Sequence, residues 1–175
     1  GNNGGDALHA GALLATRGAA VHAALLTDAA HEAGLAAART AGVRIHGLPD
    51  DARPGDAARL DLPALADLAH RCGVWVDGIT GIGARGALRE PLAGAVEMLA
   101  HERATSPDAA LVVAVDVPSG VGVDDGSLPG PVLPADLTVA MGAPKPAHLA
   151  PPAADLAGRL EVIDLGLLPE LLSGD

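Results

Sequence analysis

The sequence contains no Phe and no Tyr, and its aromatic surface is limited to a single Trp75. Stacking platforms for unpaired bases are built from aromatic rings, so a single-stranded nucleic-acid surface is excluded. The net charge of −11 points the same way, because a phosphate backbone demands a basic face. One cysteine, Cys72, leaves no internal disulfide to form, and a reducing, cytoplasmic setting is the default reading. No apolar run approaches the roughly 20 residues that a membrane-spanning helix needs, and no signal peptide is visible. Lys145 is the only lysine.

What is present is small and aliphatic. Ala, Leu and Val supply most of the 49% apolar content, which suits helices packed closely on a sheet. The 175 residues suffice for one domain with a sizeable core. Helical and strand patterns alternate along the chain. Asp6 to Arg17 reads as a helix ending at Gly18. Val21 to Leu26 reads as a strand. Thr27 or Asp28 caps a helix running to about Thr40, and Val43 to Leu48 is a second strand. The stretch "PDDARPGDAARLD" is a loop by its Pro, Gly and Asp content. Leu62 to Arg71 reads as a helix, with Pro63 near its first turn. "GVWVDGI" is a strand, Glu90 to Glu102 a helix, and "ALVVAVDV" the most strand-like run. "LTVAMGA" and "LEVIDLGL" follow as later strands. Continuous apolar strands alternating with helices indicate a parallel sheet covered on both faces. The expected fold is a three-layer α/β/α, Rossmann-like domain over residues 1–175. A glycine-rich stretch before a helix normally leaves the end of a strand, so a strand ahead of Gly1 is expected and the domain is read as N-terminally truncated.

Ligands of such folds bind beyond the carboxyl ends of the strands. The opening "GNNGGD" is expected there, followed by "DGITGIGARGALREP" after "VWV", "DVPSGVGVDDG" after "VVAV", and "PKPAH" after "LTVAMGA". In "NNGGD", Gly4 and Gly5 permit positive φ and close backbone approach. The helix N-terminus behind them offers free N–H groups and partial positive charge. Asn2 and Asn3 add amide donors and acceptors, and Asp6 is either the helix N-cap or a ligand-facing carboxylate. Without a ligand the same cluster is a capped turn.

The loop holding Gly78, Gly81, Gly83 and Gly86 leaves backbone amides uncovered, an arrangement that cradles phosphate or serves as a flexible surface loop. The nucleoside-triphosphate pattern G-x-x-x-x-G-K-[ST] is absent. Asp77 is either a turn residue or a fixed ligand. Asp116 closes a strongly apolar strand, where an unpaired carboxylate is costly. Ser119 lacks the G-x-S-x-G context of a hydrolase nucleophile. Lys145, between Pro144 and Pro146, follows a strand and is expected to point into the same cleft. The seven His show no i,i+3 or i,i+4 pairing, which argues against zinc. Trp75 is most simply core, and Asp124 and Asp125 before Gly126 read as a solvated turn.

In order and spacing, "GNNGGD", "VDGITGIGARGALREP", "VAVDVPSGV" and "GAPKPAH" resemble the NAD(P)H-hydrate epimerases, the N-terminal domain of the bacterial two-domain NAD(P)H-hydrate repair enzymes. The likeness runs from Gly1 to about Gly166. It implies a Rossmann-like fold and interconversion of the R and S forms of hydrated NADH and NADPH. Carried to the matching positions, it implies substrate contacts from Asn2, Asn3, Gly4, Gly5 and Asp6. Further contacts come from Gly81, Ile82, Gly83, Ala84, Arg85, Gly86 and Ala87 around the pyrophosphate, and from Lys145. Asp116 would reach the nicotinamide end as the acid/base group. A potassium ion would be held by Asn3, Asp77 and Ser119, hard oxygen donors suited to it.

Ala7 stands where the family often has Gly, and Arg85 lies at a position variable in relatives. The family's N-terminal helix and first strand, and its C-terminal dehydratase domain, lie outside this sequence. A homo-oligomer is compatible with the pattern. The alternative class is a non-catalytic dinucleotide-binding or interaction module on the same fold. Retention of Asn3, Asp6, Asp77, Asp116 and Ser119 together favours the enzyme. An ordinary dehydrogenase fits less well, for want of G-x-G-x-x-G followed by a ribose-binding acid.

Overall fold

The structure is a computed structural model that describes residues 2–27, 30–47, 61–106 and 108–166. Helices and strands alternate as α1 (Asn2–Thr16), β1 (His22–Ala24), α2 (Glu32–Thr40), β2 (Arg44–His46), α3 (Leu62–Ala69) and β3 (Val74–Asp77). Then come α4 (Leu92–Thr105), β4 (Leu111–Val115), β5 (Leu137–Met141), a short α5 (Pro146–Leu149), a 3-10 turn (Ala153–Leu156) and β6 (Arg159–Ile163). Every strand pair is parallel. The architecture is the three-layer, Rossmann-like α/β/α arrangement.

The strands do not form one sheet. β1 pairs with β2, and β3, β4, β5 and β6 pair in that order. Between the two pieces lies a cavity of about 1330 Å³, flanked by Val21 and Ala23 on one side and Val74, Trp75 and Val76 on the other, with Leu8 and Leu14 of α1 also lining it. Laid side by side, the order is β2, β1, a gap, then β3 to β6. That is the doubly wound order with its central strand position open. The expectation that every strand is covered on both faces therefore fails at β3, where Val74 is 55% and Val76 37% exposed.

Two of the three buried clusters flank the strands, and the third joins Val117, Val121 and Val123 after β4 to Ala147 and Ala153. On one side Leu8 of α1 and Ala38 of α2 meet Leu25 and Val43. On the other, Leu65 and Ala69 of α3 and Ala95, Val96 and Leu99 of α4 pack on Val112 and Ala114 of β4. Trp75 joins this second core half-buried and donates its indole N–H to the Ala69 carbonyl at 3.1 Å. Burial of small aliphatic side chains at about 25 cal/mol per Å² is what holds the layers together.

Several boundaries differ from the sequence reading. α1 starts at Asn2 rather than Asp6, so Asp6 sits inside the helix and is not its N-cap. The cap of α2 is His31, whose Nδ1 accepts the Gly34 N–H at 3.1 Å, rather than Thr27. Asp28, Leu48, the loop 49–60 and the end of "LEVIDLGL" lie outside the described residues. α3 is capped by Asp61, which accepts the Ala64 N–H at 2.8 Å. α4 begins at Leu92, after Pro91, and extends to Thr105. The "PKPAH" stretch contains a turn of helix that periodicity is too short to reveal. No helix among the described residues is long and apolar enough to cross a membrane.

Candidate active site

The carboxyl ends of β3, β4 and β5 meet the first turn of α1, the switch-point position at which doubly wound sheets bind ligands. The wall of the cavity there consists of Asn2, Asn3, Gly4 and Asp6 of α1, Asp77 and residues 78–84 after β3, and Asp116 and Met141. Ser119, Gly5, Arg85, Gly86, Ala87 and Lys145 are not among the residues that line it.

The glycines of "NNGGD" lie in the first turn of α1 rather than in a loop, and Gly5 serves helix packing. Gly4 and Gly5 are helical, and neither has a positive φ. A Cβ on Gly5 would fall 2.7 Å from the His31 ring. Gly78 is required for the same kind of contact, since a Cβ there would lie 2.5 Å from Ala7 Cβ and 3.1 Å from the Asn3 carbonyl oxygen. The helix is thereby pressed against the end of β3, which brings its first N–H groups to the cavity.

Asp77 and Ser119 form the buried centre of the site, at 2% and 0% exposure. Asp77 Oδ1 accepts the Ser119 hydroxyl at 2.6 Å and the Ile79 N–H at 3.1 Å, and Oδ2 accepts the Ser119 N–H at 2.8 Å. The Ser119 hydroxyl in turn accepts the Thr80 N–H at 3.0 Å. Asn3 donates its side-chain amide to the Thr80 carbonyl at 2.6 Å, which leaves its Oδ1 as an acceptor. Burial pushes the Asp77 carboxyl above the ordinary carboxylate range, and the bonds from Ser119 and Ile79 only partly oppose this. All of these partners are neutral. Thr80, which ties Asn3 to Ser119, escaped the sequence reading because it acts through its backbone.

Asp116 is the one non-glycine with positive φ among the described residues, at +68°. Such a backbone costs about 1–3 kcal/mol and persists only where the surroundings over-determine it. Its N–H donates to the Val139 carbonyl at 2.8 Å. Its Oδ1 accepts the Met141 N–H at 3.0 Å and an ion pair from Lys145 Nζ, which also donates to the Met141 carbonyl at 2.7 Å. The carboxylate is thus paired, which resolves the cost of an acidic group at the end of an apolar strand. Lys145 meets Asp116 rather than the open cleft. Gly120 follows with φ +102°, and a Cβ there would sit 2.1 Å from the Pro131 carbonyl oxygen, so the turn after Ser119 admits only glycine.

The 81–87 loop is largely solvent-facing. Gly81 abuts the Asn3 side chain, nothing lies within 4 Å of a Cβ on Gly83, and Gly86 has φ +67°. Arg85 points away from the cavity wall into an exposed ion pair with Asp124 at 2.8 Å. Asp124 and Asp125 lie in the exposed turn expected of them.

A family profile described as "YjeF-related protein N-terminus" matches residues 1–147. The chain is 43% identical over 174 residues to a Clavibacter michiganensis protein named NAD(P)H-hydrate epimerase, an alignment covering 95% of this chain and 70% of that protein. It is 39% identical over 168 residues to a Mycobacterium tuberculosis protein named bifunctional NAD(P)H-hydrate repair enzyme Nnr, covering 95% of this chain and 29% of that one. The crystal structure of the yeast protein ynu0 superimposes with a TM-score of 0.65 at 26% identity, covering 85% of this chain and 57% of the yeast chain. The motifs, the parallel doubly wound order and the matched residues agree, and the chain belongs to the YjeF-related N-terminal family.

Proposed function

We propose that this domain interconverts the R and S forms of hydrated NADH and NADPH, as a step in nicotinamide-cofactor repair. The observation that carries the reading is the Asp116 carboxylate on the wall of the same cavity as the α1 N-terminus and the 81–84 loop. Inverting the hydrated ring carbon requires water to leave and return on the opposite face. A proton must reach the departing oxygen and be taken back from the incoming one. The hydrogen-bonded Asp116–Lys145 pair can supply the proton to the departing oxygen as the C–O bond breaks, and recover it from the water that adds on the other face, so that the pair ends as it began. Asp116 is anchored for this by Met141 and Lys145, and the ammonium balances its charge.

The dinucleotide is assigned to the rest of the cavity mouth. Asn2, Asn3, Gly4, Gly5 and Asp6 are assigned to substrate contacts, and the first N–H groups of the 15-residue α1 face that mouth with a partial positive charge. The open backbone of residues 81–87 is assigned to the pyrophosphate, with Arg85 reached only after it leaves Asp124.

Asn3, Asp77 and Ser119 are assigned to potassium. Asp77 is a buried carboxylate whose present partners carry no charge, Ser119 is bonded to it, and Asn3 is tied to the adjacent Thr80 with its Oδ1 left as an acceptor; a monovalent cation would supply the missing charge. When bound, the ion would hold the α1 turn, the β3 end and the β4 turn in fixed relation. The open strand position between β1 and β3 is assigned to a segment ahead of Gly1, and a dehydratase domain is the proposed partner in longer chains. The setting is proposed to be cytoplasmic.

The test is an NMR or chromatographic assay of R/S hydrate interconversion by the full-length protein, with and without potassium. Asp116→Asn is expected to lose about 10²–10⁴-fold in rate while keeping its fold. Equilibration of the two forms at the wild-type rate would remove Asp116 from the mechanism.

A further inference from the structure

His148 is 7% exposed and lies in α5, away from the cavity wall. Its ring nevertheless touches both partners of the Asp116–Lys145 pair. Nε2 lies 2.8 Å from the Asp116 carbonyl oxygen, and Nδ1 lies 3.0 Å from the Lys145 backbone nitrogen. A carbonyl oxygen only accepts, so Nε2 must carry the hydrogen. A backbone N–H only donates, so Nδ1 must offer its lone pair. The two neighbours therefore dictate a single neutral tautomer.

These bonds fall where the site stores its strain. Asp116 holds a left-handed backbone, which an Asp tolerates better than most side chains but still at a cost relative to glycine. Its N–H is fixed by β5 and its carboxylate by Met141 and Lys145, and His148 supplies the anchor on its carbonyl. Lys145 needs its backbone fixed for its ammonium to reach Asp116, and His148 supplies that as well.

We propose that His148 is the positioning residue of this site, one imidazole that sets the Asp116 carboxylate and the Lys145 ammonium together. The role rests on the epimerase reading for its kinetic consequence, and on geometry alone for the rest. Only the neutral ring can do it. A second proton would sit on Nδ1 and oppose the Lys145 N–H, with the Lys145 ammonium close by. Burial first, then the Lys145 charge, hold the ring below the ordinary histidine range, while the Asp116 carbonyl and carboxylate oppose them.

The experiment uses the full-length protein and three forms: wild type, His148→Asn and His148→Ala. Asn keeps an acceptor near the Nδ1 position and loses the donor to Asp116; Ala loses both. The expected kinetic result is a fall in kcat of about tenfold or more for Ala, a smaller fall for Asn, and a KM within about twofold. Two NMR readouts stand apart from activity. ¹⁵N shifts of the wild-type ring should report the neutral Nε2–H tautomer at pH 7, and the ¹³Cγ resonance of Asp116 should move in both variants. A wild-type ring doubly protonated at pH 7, or protonated on Nδ1, would overturn the proposal even if the variants fail to fold. Folded variants with unchanged kcat and an unmoved Asp116 resonance would overturn it too. Should the wild type leave the hydrates unchanged, the epimerase reading fails, and the ring tautomer and the Asp116 resonance still decide the role of His148.

Discussion

Ser119 gives Asp77 both of its hydrogens, the hydroxyl at 2.6 Å and the backbone N–H at 2.8 Å, across 42 residues of sequence. The turn after β4 is thereby clamped to the end of β3, with both residues almost wholly buried. Ser119→Ala leaves the N–H bond and removes the other, so a buried carboxylate loses one donor and the Thr80 N–H loses its acceptor. The cost expected is about 1–3 kcal/mol, read by calorimetry as a fall of about 2–4 °C in Tm per kcal/mol for a chain of this size. Potassium chloride, compared with choline chloride at equal ionic strength, should raise the wild-type Tm and leave that of Ser119→Ala unchanged. A wild type indifferent to the choice of cation would remove Ser119, Asp77 and Asn3 from any ion site.

Two glycines near the site should respond oppositely to alanine. At Gly120 the φ of +102° and the Pro131 carbonyl leave no space for a Cβ. Gly120→Ala should cost about 1–3 kcal/mol in backbone strain alone, before the collision is counted, and largely unfold the site. Gly83 has nothing within 4 Å and no positive φ, so Gly83→Ala should keep the stability within about 0.5 kcal/mol of wild type. If residues 81–87 take the pyrophosphate, that same variant should raise KM. A stable Gly120→Ala protein would show that the turn relaxes.

The order of elements was legible because continuous apolar strands and their intervening helices have distinct periods, and the strand ends stood out by their Gly, Asp and Ser content. Parallel topology puts the strand ends on one side of the sheet, and Asp77 and Asp116 line one cavity there with Asn3 of α1. Backbone roles were not legible. The "NNGGD" glycines read as a turn, yet they are helical, and Gly5 is held to glycine by its contact with His31, a tertiary fact. His31 is outside the usual set of capping residues, and it displaced the expected Thr27. Nothing local announces that Lys145 turns back on Asp116, or that His148 holds both.

The open position between β1 and β3 makes a prediction about the segment ahead of Gly1. A parallel strand placed there would pair with both free edges and cover Val74 and Val76, now 55% and 37% exposed. Full burial of a valine contributes roughly 1.5–3 kcal/mol. A chain extended upstream should therefore melt well above residues 1–175. Val76→Asp should be nearly neutral in the shorter chain and strongly destabilising in the longer one. Equal melting temperatures for the two chains would refute a strand in the slot.

Stability should also fall as the solution is acidified through the histidine range. The rings of His22 on β1 and His46 on β2 stack at 5.1 Å, with Nδ1 of one 2.8 Å from Nε2 of the other, so a single hydrogen is shared between them. Burial, then the neighbouring His46, Arg44 and Arg71, lower the His22 pKa from its ordinary 6.5. His148 is lowered as well, by burial before any other cause. A base with a depressed native pKa binds more protons unfolded than folded. Acidification below about 6.5 therefore favours the unfolded chain until the native groups titrate as well. Tm measured from pH 8 to pH 5.5 should decline, and the decline should be shallower in His22→Gln, which cannot take up the proton. Parallel Tm curves for wild type and His22→Gln over that range would exclude the ring pair as a source of the pH dependence.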